Sequence, residues 1–346
     1  MTTANRAQAA PARQGETTPS LCSISGLGYF LPTESVTNHQ LALTVETSHE
    51  WIVERTGIHE RHRIAQDEAT SDIAHHAAIA AMNDAGVSAS ELDLILVATA
   101  TPDSPVPSTA CYLQARLGCP GVPAMDLGAG CSGFGYALHM AAATVKSGMH
   151  RKILVVGADA LTRVTNYQDR QSCILFGDGA GAAVVCSEGI YDVLYSNVGA
   201  DGRGANLIRI QAGGSRMPAS AVSVAAAMHT LELKGRDVFK AAVRQMTDSI
   251  TQAAEAMGMT PKEFDLVIPH QANARIVEAV GSQLGASAEQ LVIDIGQTGN
   301  TAAASIPIAI GRARERGQIR PGQLIAVVGF GAGMAWACQV LRVNAR

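Results

Sequence analysis

The chain has 346 residues, 47% of them hydrophobic, which is enough for two domains or for one large duplicated domain. Its net charge of -4 disfavours a protein that binds nucleic-acid phosphates, because such binding needs basic patches. No apolar run approaches the ~20 residues of a membrane span. The seven cysteines are widely spaced without a CxxC motif, which argues against a disulfide framework or a zinc site and favours a reducing, cytoplasmic location.

Residues 1–19 are polar and Ala-rich and lack the apolar core of a signal peptide, so we predict a flexible tail. Beyond them, strand-like apolar runs alternate with helix-like segments. The predicted strands are 92–100, 152–160, 266–270 and 323–331. The predicted helices are 71–85, 107–118, 132–147, 236–257 and 302–316. This alternation, with continuous β-branched strands, is typical of α/β proteins whose sheets are covered on both faces.

The second half of the chain repeats the order of the first. The block ELDLILVATA is followed 172 residues later by EFDLVIPHQA, and KILVVGADA is matched by LIAVVGFGAG at the same offset. Similar strand–turn–helix units occur in any α/β protein, but several blocks in one order favour a duplication. We predict halves at 20–190 and 191–346. A pseudo-twofold axis between them would bring the Gly-rich turns of Cys131 and Asn300 together.

Cys131 is the first candidate catalytic residue. It lies in the sequence Gly-Cys-Ser-Gly, where an apolar strand meets a helix. Most free cysteines are unreactive core residues, and the glycine turn distinguishes this one. The partial positive charge and the free N–H groups of a helix N-terminus lower the pKa of a thiol and bind an oxyanion. We therefore predict a nucleophile whose pKa is lowered.

His270 and Asn300 are candidate partners of this thiol. His270 follows the apolar strand DLVIP, and strand ends carry the functional groups of α/β proteins, although a loop histidine without function has the same pattern. Asn300 lies in GQTGNTAAAS, a glycine turn before a helix, where an asparagine alone is most often an N-cap. The histidine pairs His75–His76 and His59–His62 each lack a nearby third ligand, which argues against a metal site.

Seven sequence blocks follow one another in a fixed order between residues 20 and 343. They are TSHEWIVERTGIHERH, PSTACYLQARLG, CSGFGYAL, ILFGDGAGAAVV, VIPHQANARI, GNTAAASIP and FGAGMAW. Together they resemble the β-ketoacyl-acyl-carrier-protein synthase III family of the thiolase superfamily. The resemblance implies an α/β protein with a thiolase-like, five-layered αβαβα fold built from two duplicated halves, which agrees with the internal repeat.

The resemblance also implies a condensing enzyme that needs no metal or redox cofactor. An acyl-CoA primer is loaded on Cys131 and joined by decarboxylative Claisen condensation to a malonyl thioester, as in the initiation of fatty acid synthesis. Cys131, His270 and Asn300 match the family's catalytic triad, and the asparagine argues against elongating synthases, which use two histidines. The main-chain N–H groups of Cys131 and Ala332 are implied to form the oxyanion hole.

The substrate contacts are likewise implied by the resemblance. Trp51 and Arg170 match positions that sandwich the CoA adenine, Arg55 matches one near the CoA phosphates, and Asn273 matches one in the pantetheine channel. The implied partners are acyl-CoA, malonyl-acyl carrier protein or malonyl-CoA, and a second copy of the chain, without nucleic acid or membrane.

Two positions near the nucleophile depart from the family pattern. The family's FGGG loop reads FGAG, so Ala332 offers its N–H only if its φ is not positive. Val106 stands where many members carry phenylalanine at the gate of the acyl pocket, which Phe330 is also implied to line. The smaller side chain predicts room for a longer or branched primer.

The carrier-docking surface also differs. Many members carry a lysine pair where this chain has Ser282 and Gln283. The remaining candidate docking residues are Lys240, Arg244 and Arg275. Two alternative functions stay open at this point. One is an acyltransferase, or a condensing enzyme of secondary metabolism, with a different acceptor; the other is a catalytically silent partner that binds acyl chains.

Overall fold

The structure is a computed structural model that describes residues 20–345, so the tail predicted at 1–19 lies outside the described residues. The strands are β1 Cys22–Phe30, β2 Glu34–Thr37, β3 Glu60–Arg63, β4 Leu94–Ala98, β5 Ala124–Leu127, β6 Ile153–Ala160, β7 Asp178–Cys186, β8 Tyr191–Ala200, β9 Ile208–Ile210, β10 Leu231–Leu233, β11 Leu266–Pro269, β12 Leu324–Gly331 and β13 Ala335–Val343. The α-helices are α1 Asn38–Leu41, α2 His49–Thr56, α3 Thr70–Ala85, α4 Thr109–Leu117, α5 Gly133–Lys146, α6 Ala221–Ala225, α7 Gly235–Ala256, α8 Ala274–Leu284 and α9 Ser305–Glu315. Within residues 20–345, no helix combines the length and the apolar character needed to cross a bilayer.

Strand β4 shows why the sheet is covered on both faces. Because successive side chains of a strand point to opposite sides, Leu94 and Leu96 pack with α5 and α9, whereas Ile95 and Val97 pack with α3 and α4. Strands β11 and β12 alternate in the same way between α5 with α9 on one side and α7 with α8 on the other. The result is the predicted order of five layers, with α5 and α9 in the centre.

The two halves have the same strand order. The first half runs β5–β4–β6–β7–β1, and the second runs β11–β12–β13–β8, with Leu291 bridging to β11 where β5 would stand. Strand β11 therefore corresponds to β4, and β12 corresponds to β6. In both halves these two strands pair in parallel (β4–β6, β11–β12), and the next pairing is antiparallel (β6–β7, β12–β13). The repeated order supports a duplication. The boundary between residues 190 and 191 falls between β7 and β8 and stays a prediction.

Most predicted helices agree with the structure within one or two residues, but the last one does not. The helix predicted at 302–316 starts three residues later, because 302–304 form a 3-10 turn and α9 begins at Ser305. The backbone gives the reason: Ala302 has a φ of 45°, in the left-handed region, and this interrupts an α-helix. That turn follows Asn300 directly, so the irregularity belongs to the site described next.

Candidate active site

Three loops from the two halves meet at one cavity of about 690 Å³. Cys131 lies in the 3-10 turn Gly130–Ser132 between β5 and α5, His270 follows β11, and Asn300 precedes the 3-10 turn that leads into α9. All three residues line this cavity. The two Gly-rich turns of the repeat thus lie side by side, as the pseudo-twofold predicts.

Glycines at the end of β12 allow the Cys131 turn to approach the sheet. A Cβ atom on Gly331 would lie 2.7 Å from the main-chain N of Cys131 and 2.8 Å from its Cβ. A Cβ on Gly329 would lie 2.9 Å from the Cα of Ser132. Non-bonded carbon atoms do not approach this closely without strain, so only glycine fits at these two positions.

Ala332 keeps an ordinary backbone conformation despite the departure from FGGG. Between residues 20 and 345, the non-glycine residues with positive φ are Ala227 and Ala302. The φ of Ala332 is therefore not positive, so its N–H can be offered to the oxyanion as predicted. A Cβ on Gly130 would lie 3.0 Å from the main-chain N of Ala332. The N–H of Ala332 therefore lies beside the Cys131 turn, and the residue lines the cavity.

The prediction that the pKa of Cys131 is lowered is wrong. Burial and the negative charge of Asp159 raise the pKa of the thiol to about 12, and a hydrogen bond with the residue's own main chain offsets only part of this effect. Helix α5 begins two residues further on, at Gly133. The thiol is therefore protonated at neutral pH in the free protein and must lose its proton as it reacts.

His270 is a buried, neutral imidazole. Its Nδ1 lies 2.6 Å from Oγ of Ser305, and its main-chain N–H donates to the carbonyl oxygen of Val328 at 2.7 Å. Burial lowers the pKa of the imidazole to about 3. Because Ser305 occupies Nδ1, the other ring nitrogen, Nε2, is the atom available to a molecule in the cavity.

Asn300 is buried and its amide oxygen is occupied. The Oδ1 atom accepts a hydrogen bond from the main-chain N–H of Ala302 at 2.9 Å, while the main-chain N–H of Asn300 donates to Leu175 at 2.8 Å. An amide whose oxygen is fixed in this way leaves its NH₂ group free to donate. Asn300 therefore offers its NH₂ group to the cavity as a hydrogen-bond donor.

The mouth of the cavity carries an aromatic platform. The guanidinium carbons of Arg55 and Arg170 lie 4.6 Å and 5.2 Å from the ring centroid of Trp51. Asn273 caps helix α8: its side chain accepts from the N–H of Arg275 and donates to the carbonyl oxygen of Arg55 at 3.0 Å. The cap fixes the start of α8 against the end of the helix that carries Trp51.

The charged residues of the cavity lining are mostly positive, although the net charge of the whole chain is negative. The charged lining residues are Arg55, Asp169, Arg170, Arg236, Lys240 and Arg275. Five of these six are cations, so the cavity attracts an anionic molecule. Among residues 20–345, no group of three or more His, Cys, Asp or Glu side chains is arranged to hold a metal ion.

Comparison with known proteins identifies the family. Two family models match, 3-oxoacyl-[acyl-carrier-protein] synthase III over residues 125–202 and its C-terminal counterpart over 254–343. A β-ketoacyl-[acyl-carrier-protein] synthase III from Caldanaerobacter subterraneus is 46% identical over 92% of this chain and 97% of its own. The chain belongs to the β-ketoacyl-[acyl-carrier-protein] synthase III family. The predicted family and enzyme class are thereby confirmed.

Solved structures of related proteins have the same fold. The 3-oxoacyl-[acyl-carrier-protein] synthase III of Aquifex aeolicus is 41% identical, with a TM-score of 0.85 over 93% of this chain and 99% of that one. The priming β-ketosynthase of the R1128 polyketide pathway is 32% identical, with a TM-score of 0.85 over 95% and 99% of the two chains. These similarities confirm the predicted thiolase-like fold.

Two of the predicted site residues, Val106 and the docking candidate Arg244, lie outside the cavity. The side chain of Val106 is 84% exposed in the loop between β4 and α4, and it does not line the cavity of its own chain. Arg244 lies on the exposed face of α7, away from the lining. Phe330 is buried and lines the cavity, as do the docking candidates Lys240 and Arg275.

Sequence reasoning missed two polar residues that support the site. Ser305 contacts His270, and the buried carboxylate of Asp159 lies close enough to Cys131 to raise the pKa of the thiol. One signal was present for Asp159, which stands near the end of a predicted strand, KILVVGADA, where functional polar groups gather. Ser305 lies within a helical segment and gives no such signal.

The buried imidazole makes a testable contribution to stability. Folding lowers the pKa of His270 from the ordinary value of 6.5 to about 3, so below pH 6.5 the unfolded chain binds a proton that the folded chain does not. Burial of His270 therefore lowers the free energy of unfolding progressively as the pH falls from 6.5 towards 3. Between pH 7.5 and 5.5, the wild type should lose about 1 kcal/mol more of its unfolding free energy than His270→Asn in urea titrations. Equal losses in the two proteins would contradict the burial of a neutral imidazole.

Proposed function

We propose that this chain starts an acyl chain: it takes an acyl group from CoA onto Cys131 and condenses it with malonyl-acyl carrier protein, giving a 3-oxoacyl thioester, as in the initiation of fatty acid synthesis. The observation that carries the proposal is the convergence of Cys131, His270 and Asn300 on one cavity with a cationic mouth. The reaction needs no metal or redox cofactor. All seven cysteines are free, which supports a cytoplasmic location.

The first step is transfer of the acyl group. Sγ of Cys131 attacks the carbonyl carbon of the acyl-CoA, the thiol proton passes to the departing CoA sulfur, and the bond between the acyl carbon and CoA breaks. The N–H groups of Cys131 and Ala332 donate to the oxyanion that forms on the carbonyl oxygen. Since the resting thiol is protonated, loss of its proton is coupled to this attack.

The second step is condensation. The malonyl thioester loses CO₂, and the electron pair left behind forms an enolate whose oxygen accepts hydrogen bonds from Nε2 of His270 and Nδ2 of Asn300. The enolate carbon attacks the thioester on Cys131, a carbon–carbon bond forms, and the cysteine sulfur leaves and takes up a proton from solvent. A neutral histidine and an amide oriented to donate suit this role, because both are donors without a competing charge.

The cationic mouth fits the phosphates of CoA, and Trp51 fits its adenine. Arg170 now lies 5.2 Å from the Trp51 ring, whereas a ring stacked between them needs about 7 Å, so Arg170 must move outward by about 2 Å when adenine enters. Trp51→Ala should raise KM for acyl-CoA about 5- to 10-fold in steady-state kinetics, because it removes one stacking surface. Trp51→Phe should recover most of the loss. An unchanged KM in Trp51→Ala would place the adenine elsewhere.

Product analysis tests the function. Incubation with acetyl-CoA and longer or branched acyl-CoAs, together with malonyl-acyl carrier protein, should release CO₂ and CoA and give a 3-oxoacyl carrier protein. An acyltransferase that used an oxygen or nitrogen acceptor would release no CO₂, and a silent partner would release no CoA. Malonyl-CoA in place of the carrier thioester shows whether the enzyme requires a carrier, for which Lys240 and Arg275 are the candidate docking residues at the cavity mouth. The related R1128 priming enzyme makes a parallel assay for products of secondary metabolism worthwhile.

We also propose a homodimer formed through β5. Within residues 20–345 this strand is the edge of the nine-stranded sheet and pairs only with β4. Exposed apolar side chains lie on the strand itself (Met125, 48%), on helix α4 packed against it (Tyr112, 39%) and in the loop before α4 (Val106, 84%). An open edge with apolar neighbours needs a cover, and a second copy supplies it. In such a dimer Val106 is free to reach the partner's acyl pocket, which accounts for its position outside the cavity of its own chain.

Light scattering after size-exclusion chromatography tests the dimer. The wild type should have twice the mass of one chain, and Met125→Asp should shift it towards the monomer. Leu43→Asp is the control, because Leu43 is an exposed apolar residue (84%) that follows α1, away from β5 in the chain. A monomeric wild type, or equal dissociation of both variants, would contradict an interface at β5.

A further inference from the structure

Asp159 is a buried carboxylate without a basic partner. It lies near the end of β6 with no exposed surface, and its hydrogen-bond donors within residues 20–345 are main-chain N–H groups and threonine hydroxyls. Oδ1 accepts from the N–H of Ala100 at 2.7 Å and from the hydroxyls of Thr99 at 3.2 Å and Thr101 at 3.1 Å. Oδ2 accepts from the N–H of Ala303 at 3.0 Å. A buried carboxylate with so many donors is held in one orientation.

The bond to Ala303 joins the two halves of the molecule at the active site. Ala303 belongs to the second half and stands three residues after Asn300, whereas Asp159 belongs to the first half. Ala302, which lies between Asn300 and Ala303 in the chain, has the unfavourable φ of 45°, and its N–H donates to Oδ1 of Asn300. A Cβ on Gly157, two residues before Asp159, would collide with the carbonyl oxygen of Ala303, so β6 lies directly against this turn.

We propose that Asp159 is a positioning residue for the condensation step: its carboxylate holds the turn at Ala302 and Ala303 so that the amide of Asn300 donates into the cavity. A strained residue persists only where its surroundings fix it. The hydrogen bonds that fix this turn include the one from Ala302 to Asn300 and the one from the next residue, Ala303, to Asp159. The inference rests on the proposed function, because the amide needs an enolate oxygen to stabilise.

The same carboxylate has an opposite effect on the other half-reaction. Its negative charge contributes to the raised pKa of Cys131, so its removal makes the thiol easier to deprotonate. The titratable groups that share the site with the thiol are Asp159, His270 and the charged residues of the mouth, Arg55, Asp169, Arg170, Arg236, Lys240 and Arg275. Loss of the Asp159 charge should therefore slow decarboxylation while it makes Cys131 more reactive, and a purely structural role cannot produce this divergence.

Asp159→Asn separates these effects. The two carboxylate oxygens accept from Ala100 and Ala303 respectively, whereas an asparagine has only one oxygen, so its NH₂ group must face one of these two N–H groups. Three quantities are measured: decarboxylation of a malonyl thioester, acylation by acyl-CoA, and the pH dependence of Cys131 alkylation by iodoacetamide. Decarboxylation should fall about 10- to 100-fold, since small displacements of a donor cost this much. Acylation should be retained, and the alkylation midpoint should move to lower pH.

Asp178→Asn is the matched control. Asp178 is a buried carboxylate on the adjacent strand β7 that accepts from the N–H groups of Ile64 and Thr162. Asp159, and not Asp178, accepts from Ala303 and contributes to the raised pKa of Cys131. Thr99→Val, which keeps the Asp159 charge and removes one donor, should lower decarboxylation several-fold and serves if Asp159→Asn does not fold. Unchanged decarboxylation in the folded Asp159 variant overturns the proposal. An equal fall of decarboxylation and acylation, with an unmoved alkylation midpoint, also overturns it. A wild type that does not decarboxylate malonyl thioesters overturns the proposed function instead.

Discussion

Alanine in place of His270 or of Asn300 should lower the rate of malonyl decarboxylation about 10²- to 10³-fold, because each change removes a donor to the enolate oxygen. Nε2 of His270 is the free ring nitrogen since Ser305 occupies Nδ1, and the NH₂ group of Asn300 is free since Ala302 occupies its oxygen. Decarboxylation is followed by release of labelled CO₂ from a malonyl thioester. Loading of Cys131 by acyl-CoA should survive both changes within a few-fold, because neither side chain is assigned to the oxyanion hole.

The chain offers a matched control for the histidine. His139, on α5, is partly buried, and its Nδ1, like that of His270, contacts a serine hydroxyl, that of Ser196 at 2.9 Å, but it does not line the cavity. His139→Ala should decarboxylate at close to the wild-type rate. Wild-type decarboxylation by both His270→Ala and Asn300→Ala would remove these residues from the reaction, and an equal fall in His139→Ala would mean that the losses are not specific to the cavity.

Gly331→Ala should nearly eliminate acylation of Cys131. The new Cβ would lie 2.7 Å from the main-chain N of Cys131, so the nucleophile turn has to move, together with an N–H group of the oxyanion hole. A displacement of about 1 Å at a reacting group costs on the order of 10²-fold in rate, and overpacking of this kind costs about 1–3 kcal/mol of stability. Single-turnover acylation and thermal unfolding measure the two effects separately.

Gly128→Ala controls for the loss of a glycine in the same segment. A Cβ at Gly128 meets no atom within 4 Å, and its φ is not in the left-handed region, so acylation should remain close to that of the wild type. If Gly331→Ala acylated Cys131 at the wild-type rate, the close approach of β12 to the nucleophile turn would have no role in catalysis. If Gly128→Ala lost as much of the acylation rate as Gly331→Ala, the effect could not be assigned to the close approach of β12.

The sequence predicted the elements and their repetition because local pattern determines both. The apolar runs around β4, β6, β11 and β12 are long and β-branched, and their equal spacing in the two halves indicates the pseudo-twofold that brings the turns of Cys131 and Asn300 together. Glycine-rich turns at strand ends identified the candidate nucleophile and its amide partner. The family resemblance supplied the role of each residue, which pattern alone does not provide.

The features that sequence did not predict depend on tertiary contacts. The pKa of Cys131 is raised by burial and by Asp159, a residue 28 positions away, whereas the local pattern indicated only a helix N-terminus. Helix α9 starts late because Ala302 has a left-handed conformation, next to the hydrogen bond from Ala303 to Asp159, a residue 144 positions away. Val106 is exposed in the loop between β4 and α4 and lies outside the cavity of its own chain, a placement that depends on how that loop packs and not on its local sequence. Contacts between residues so far apart in the chain produce no periodic pattern in the amino-acid sequence.

Intact-mass spectrometry after incubation with acyl-CoA tests the central claim most directly. The wild type should gain one acyl group per chain, located by peptide mapping on Cys131, and addition of malonyl-acyl carrier protein should remove it. Cys131→Ala should gain none, although the exposed thiol of Cys111 remains available in that variant. No adduct on the wild type, or an adduct that persists in Cys131→Ala, would contradict the assignment of Cys131 as the nucleophile.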